Sequence, residues 1–185
     1  MTKNVLIING NPKADSFCRA LAMQYLAGAQ AEGHAVRLRH IADYDQQRQH
    51  DSAGAVAASQ ADVAWAEHLV LVYPNWWGTL PAALKGWLDE VLAAGFAFRF
   101  DPEKQRLDAL LKGKSARLVV TMDTPRWVYR LLFANGGITI MRRAVLGFCG
   151  IGPVRVSTFG QIFNSDAGAR EQWLLKVRAL GAQAN

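Results

Sequence analysis

HLVLVYPNWWGTLPAALKGWLDEVL, residues 68–92, decides the fold. Its first part, HLVLVYP, is an unbroken apolar run of strand length, the pattern of a strand buried on both faces. Pro74 ends that strand because it has no N–H to give to a ladder. Gly78 allows a turn, and Thr79 with Pro81 reads as a cap followed by proline in the first turn of a helix. Leu80, Leu84, Leu88 and Val91 then recur at helical spacing and give that helix one apolar face. Between strand and helix stand Trp76 and Trp77. Adjacent residues at an extended corner point to different sides, so one of the two rings must face a cavity, a partner or water. Tryptophan beside backbone donors suits stacking on a planar heterocycle.

The same strand-then-helix alternation runs outward in both directions. Upstream, NVLIIN (Asn4–Asn9) is a β-branched apolar run closed by Gly10 and Pro12. Ser16 then caps a helix holding Leu21, Tyr25, Leu26 and Ala29, which ends near Gly33. AVRLRHI, residues 35–41, alternates apolar and basic residues and reads as an outer strand with one wet face. DYDQQRQHDSAGA reads as a long polar loop and SQADVAWAE as a short helix. Downstream, AAGFAFRFDPEKQRLD is a connection with a turn at Asp101-Pro102, residues 115–122 are a fourth strand, and residues 123–143 are irregular or helical. Residues 153–160 form a fifth strand. A final amphipathic helix is capped by Ser165 or Asp166 and buries Trp173, Leu174, Val177 and Leu180. Strands alternating with helices imply right-handed crossovers and a doubly wound α/β fold. The expected architecture is a flavodoxin-like five-stranded parallel sheet, order 2-1-3-4-5, in three αβα layers, with residues 1–185 as one domain.

Bulk properties agree. The chain has 185 residues, 51% hydrophobic and 19% charged, which suits one globular core and excludes disorder. No run approaches the ~20 apolar residues of a membrane helix, and MTKNVLIING reads as a first strand rather than a leader, so a cytoplasmic protein without membrane insertion is expected. Cys18 and Cys149 make no disulfide framework or zinc quartet, and His34, His40, His50 and His68 have no metal spacing; no metal is expected. The net charge of +6 raises nucleic acid as a partner, yet the basic residues are scattered and no nucleic-acid motif accompanies them. The reading is a solvated basic surface that attracts an anionic ligand such as a nucleotide.

In such a sheet the ligand lies beyond the carboxyl ends of the strands, where the strand order reverses. Loops 10–18, 74–80 and 121–129 should meet there. The first, GNPKADSFC, carries neither a dinucleotide fingerprint nor a Walker loop. It offers backbone N–H groups and the Ser16 hydroxyl at a helix N-terminus, a natural seat for phosphate that Asp15 would oppose unless it faces solvent. The third, TMDTPRWVY, brings hydroxyls, Asp123 and the Tyr129 phenol.

With these stretches in view, the chain resembles the quinone reductase branch of the flavodoxin-like flavoproteins, the NAD(P)H dehydrogenase (quinone) or modulator-of-drug-activity family. The resemblance rests on VLIINGNP with SFCRAL, on ADVAWAEHLVLVYPNWWGTLPAALKGWLDEVLAAGFAF and on GKSARLVVTM, and it runs from residue 3 to about residue 122. It implies a flavin, with Asn11, Ser16, Phe17 and Cys18 at its phosphate side, Pro74, Asn75, Trp76 and Trp77 along the ring, and Thr121, Met122, Asp123 and Thr124 at the opposite edge. It implies a homodimer in which Phe98 and Phe100 of the partner cover a substrate beside Trp76, and a catalytic Tyr129 that stabilises negative charge at the flavin. The implied activity is hydride transfer from NAD(P)H through FAD, with FMN as the alternative, to quinones or similar electrophiles by ping-pong kinetics. Four positions depart from the family pattern: Asn11 replaces a usual histidine, Asp123 and Thr124 replace paired glycines, and Asn135 stands where a relay histidine is usual. Two rival readings within the wider family are a regulatory subunit docking on a potassium-efflux-type transporter and a one-electron carrier like flavodoxin, the latter disfavoured by the +6 charge.

Overall fold

Seven consecutive buried residues make His68–Pro74 (β3) the centre of the molecule. The computed structural model describes residues 1–103 and 105–185. It flanks β3 with Asn4–Asn9 (β1) on one side and Ser115–Thr121 (β6) on the other, both in parallel register. Ala35–His40 (β2) and Val154–Phe159 (β7) close the edges, giving the order β2-β1-β3-β6-β7, the expected 2-1-3-4-5 of a flavodoxin-like sheet.

Because strand side chains alternate in direction, each strand feeds two cores. Val5, Ile7, Val70, Val72 and Val119 pack beneath Phe17–Ala31 (α1) and Ala167–Gln183 (α7). Leu6, Ile8, Leu69, Leu71, Leu118 and Val120 pack against the opposite layer. That layer contains Ile41–His50 (α2), Ser52–Trp65 (α3), Ala82–Val91 (α4), Arg126–Leu132 (α5), Gly136–Thr139 (α6) and a π-helical segment, Ile140–Gly147. Helices α1 and α7 touch backbone to backbone. A Cβ on Gly28 would stand 1.9 Å from the Arg178 carbonyl oxygen, and one on Gly181 2.1 Å from that of Tyr25.

Four local expectations change. Most of the stretch read as a long polar loop is helical, in α2 and the start of α3. Its sequence lacks an apolar stripe, but Tyr44 is buried and donates to Glu90 Oε2 (2.5 Å), Arg48 pairs with Glu90 at 2.8 Å, and the Asp51 carboxylate caps α3 at the Gly54 N–H (2.9 Å). Tertiary anchors and a cap thus replace amphipathic patterning. Thr79 does not cap α4, which follows Pro81 without a side-chain cap. The aromatic connection forms an antiparallel hairpin, Phe98–Asp101 (β4) with Arg106–Ala109 (β5), and Lys104 lies outside the described residues. Finally, the basic face of β2 is ion-paired. Arg37 and Arg39 both reach Asp62 on α3, at 2.8 and 2.6 Å, and Arg37 lies 4.0 Å over the Trp65 ring. Among the described residues no helix is long and apolar enough to cross a membrane, and no cluster could hold a metal ion.

Candidate functional site

Strands β1, β3 and β6 deliver their loops to one place at the carboxyl edge of the sheet. Asn11, Phe17 and Cys18 come from the first loop and helix start, Pro74, Asn75 and Trp76 from the second, and Thr121, Met122 and Asp123 from the third. With Ile162 they line a cleft of about 160 Å³. Nine of those ten residues are readable in the sequence from the switch-point rule and the family resemblance. Ile162 is not, because the loop after β7 carries no motif; its one signal is position just past the last strand. Larger hollows of about 550 and 650 Å³ lie beside α2 and along β7. Of these three hollows, the smaller cleft is the one where the strand order reverses.

The first loop is held by its asparagines. Asn9 Oδ1 accepts the Asn11 N–H (3.3 Å), and Asn11 Oδ1 accepts the Lys13 N–H (3.0 Å). Ser16 is the helix cap, its Oγ accepting the Arg19 N–H at 3.3 Å. This leaves the Phe17 and Cys18 N–H groups without an acceptor among the described residues. Asp15 is exposed at the rim, so its charge can stay in water rather than oppose an anion. The Lys13 ammonium lies 5.9 Å from the Trp76 ring centre. Cys18 is buried with Sγ 3.3 Å from Thr121 Oγ1, and burial pushes its thiol above the ordinary value; it packs the floor as a neutral group.

The second loop is a tight turn. Trp76 and Thr79 exchange both backbone hydrogen bonds, at 2.8 and 3.0 Å, and the two residues between them have positive φ, 52° at Trp77 and 77° at Gly78. A left-handed tryptophan costs on the order of 1 kcal/mol or more and must be held by its surroundings. The hold is Tyr129, only 2% exposed: its hydroxyl donates to the Gly78 carbonyl (2.9 Å) and accepts the Gly137 N–H (3.1 Å). Burial raises the Tyr129 phenol above its ordinary value, so it stays protonated. The turn keeps the Trp77 and Gly78 N–H groups without acceptors among the described residues. Its two rings differ sharply: Trp76 is 38% exposed and walls the cleft, whereas Trp77 is fully exposed and does not line it.

The remaining residues named from the sequence are placed as follows. Tyr129, expected at the flavin edge, does not line the cleft; its hydroxyl bonds the Gly78 carbonyl and the Gly137 N–H. Thr124 lies beside the cleft-lining Asp123 without lining the cleft itself. Asp123 ties the third loop to the one after β7 by accepting the Phe163 N–H at 2.8 Å. Asn135 takes φ 52° and lines the β7 groove rather than the cleft. Phe98 packs edge-on against Phe148, 5.0 Å between ring centres, and Phe100 is exposed on the hairpin; neither lines the cleft within one chain.

Comparison with known proteins gives the same fold. Residues 3–180 match the family described as the flavodoxin-like fold. A Haemophilus influenzae protein named as an uncharacterized NAD(P)H oxidoreductase is 28% identical over 194 residues, covering 98% of this chain and 95% of its own. An FMN-dependent NADH:quinone oxidoreductase of Pseudomonas aeruginosa is 33% identical over 128 residues, 66% of this chain and 54% of the relative, so the chain spans about half that protein's length. Among solved structures, an NAD(P)H:quinone oxidoreductase from Methanothermobacter marburgensis superposes with a TM-score of 0.85 at 20% identity over the full length of both chains, a likeness of fold.

Proposed function

Because this chain belongs to the family with the flavodoxin-like fold, we propose that it is a flavin-dependent oxidoreductase that takes hydride from NAD(P)H and passes it to a quinone or similar electrophile. The observation that carries the reading is the cleft itself. A tryptophan wall stands at the switch point, with unpaired backbone N–H groups at a helix start on one side and at a strained turn on the other.

The donor set fits a flavin mononucleotide. Its phosphate would sit at the Phe17 and Cys18 amides with the Ser16 hydroxyl and Asn11 amide, where the α1 dipole favours an anion. Its ring would lie along Pro74, Asn75, Trp76 and the Trp77 backbone, with Thr121, Met122, Asp123 and Thr124 at the far edge. When bound, the flavin supplies the two-electron chemistry between nicotinamide and acceptor. The chain would supply orientation and electrostatics: the Trp77 and Gly78 amides, without acceptors among the described residues, would serve as preset donors to negative charge, and Tyr129 holds their turn through the Gly78 carbonyl. FMN now stands ahead of FAD, the cofactor the resemblance suggested first, and the FMN-dependent relative supports this order.

So small a cleft needs another wall. Trp77, Phe100, Leu131, Leu132, Phe133 and Ile140 are all more than half exposed, an apolar surface that a second copy would cover. The homodimer reading places the partner's Phe98 and Phe100 over the acceptor. Two substrates sharing one slot give parallel initial-rate lines; lines that intersect under all conditions overturn that mechanism. The decisive experiment is denaturing release of the bound cofactor with chromatographic identification. FMN is expected, and a colourless protein that takes up neither FMN nor FAD overturns the proposal.

A further inference from the structure

The groove along β7, about 650 Å³, is a large hollow that the flavin reading leaves unused. Three arginines line it. Arg126 and Arg130 are four residues apart on α5 and so share a face, while Arg142 comes from the π-helical segment. No acidic side chain lines the groove, and none of the three has an ion pair or hydrogen bond among the described residues. Elsewhere in this chain, arginines brought together meet a carboxylate, as Arg37 and Arg39 do at Asp62. Three like charges gathered without one repel each other, and an anion of two or more charges relieves that repulsion. Guanidinium forks match phosphate oxygens in pairs. Beside them Trp127 is 67% exposed, a flat ring for a base to stack on, and Asn135 and Thr158 add hydrogen-bonding side chains. Phosphate next to a stacking face describes a phosphorylated nucleotide.

The groove and the cleft are neighbours along two loops. Asp123 lines the cleft and Pro125 the groove; Ile162 lines the cleft and Gln161 the groove. The loops are stitched together by the Ile162 N–H to the Met122 carbonyl (3.3 Å) and the Phe163 N–H to Asp123 Oδ1 (2.8 Å). One extended ligand can therefore keep a ring in the cleft and a second nucleotide in the groove. We propose that the groove binds the adenosine end of the reduced dinucleotide, its arginines holding the 2′-phosphate, so that this chain selects NADPH over NADH. The inference rests on the hydride-donor reading above and names its substrate.

Isothermal titration of the flavin-loaded protein with adenosine 2′,5′-bisphosphate and with 5′-AMP tests it without turnover. The bisphosphate is expected to bind at least about tenfold tighter, with the advantage lost in the Arg130→Ala/Arg142→Ala double variant and both probes weakened alike by Trp127→Ala. In parallel, the double variant should raise KM for NADPH about tenfold and leave kcat and the KM for NADH unchanged. Equal affinity for the two probes overturns the proposal, and is the result an adenylate site for a longer flavin would give. An advantage that survives the double variant overturns it as well. Both failures are distinguishable from failure of the oxidoreductase reading: quinone turnover without the probe preference sinks only the groove, and the preference without turnover sinks only the activity.

Discussion

Trp77 carries the strain of the site, and Tyr129 with Gly137 holds it. The phenol bonds Gly78 from below, and Gly137 packs so closely that a Cβ there would lie 2.4 Å from the Gly78 carbonyl oxygen. Tyr129→Phe removes one donor and leaves that carbonyl short of a partner, a loss of about 1–3 kcal/mol in a urea titration. Gly137→Ala pushes the turn outward at a comparable overpacking cost of about 1–3 kcal/mol. Both should weaken flavin affinity by about tenfold in a fluorescence-quenching titration, although neither side chain lines the cleft. An unchanged affinity in both variants would show that the turn does not hold the flavin. None of this is readable from TMDTPRWVY or NGG alone. The sequence shows a tyrosine at a family spacing; only the folded chain shows that its hydroxyl is spent on backbone.

Elements were legible in proportion to how far their own residues explain them. β1, β3 and β6 declare themselves because strands buried on both faces are continuous apolar runs. α2 does not, because only Ile41 and Tyr44 of its ten residues are buried and its anchor, Glu90, lies on α4 far along the chain. Glu90→Ala should therefore loosen an element to which it does not belong. Amide hydrogen exchange in residues 41–50 is expected to speed by about tenfold or more with β3 unaffected; unchanged protection there would mean that α2 is held by its own turn and cap. The β7 groove was hidden for the same reason. Arg126, Arg130 and Arg142 are scattered charges in the sequence and meet only because α5 and the π-helical segment fold onto the β7 edge.

Across the whole molecule, one buried histidine ties stability to pH. His68 sits at the amino end of β3, fully buried, hydrogen-bonded to Tyr25 (3.1 Å) and Ser115 (2.8 Å), and burial, with Lys3 and Arg117 nearby, lowers its pKa to about 3. Folding keeps it neutral, whereas the unfolded chain takes up a proton near pH 6.5. The unfolded state therefore binds more protons between about pH 6.5 and pH 3, and stability must fall as pH drops through that window. The expected loss is about 2 kcal/mol between pH 7 and pH 5, read as a shift of the urea midpoint, and His68→Gln should flatten it. A pH-independent midpoint over that range would contradict a neutral buried His68. The switch-point geometry was the most legible whole-molecule property: alternation implies a doubly wound sheet, five strands suggest the order it has, and together they point to the loops that line the cleft.

The glycine contact between α1 and α7 bears on how the chain is made. Gly28 and Gly181 meet across most of the sequence, so the apolar floor under α1 stays half open while the intervening strands are being synthesised. Helix α1 and the α1-facing side of the sheet gain their full cover only when α7 emerges. A nascent chain stalled before residue 167 lacks α7, and with it the cover over that apolar face.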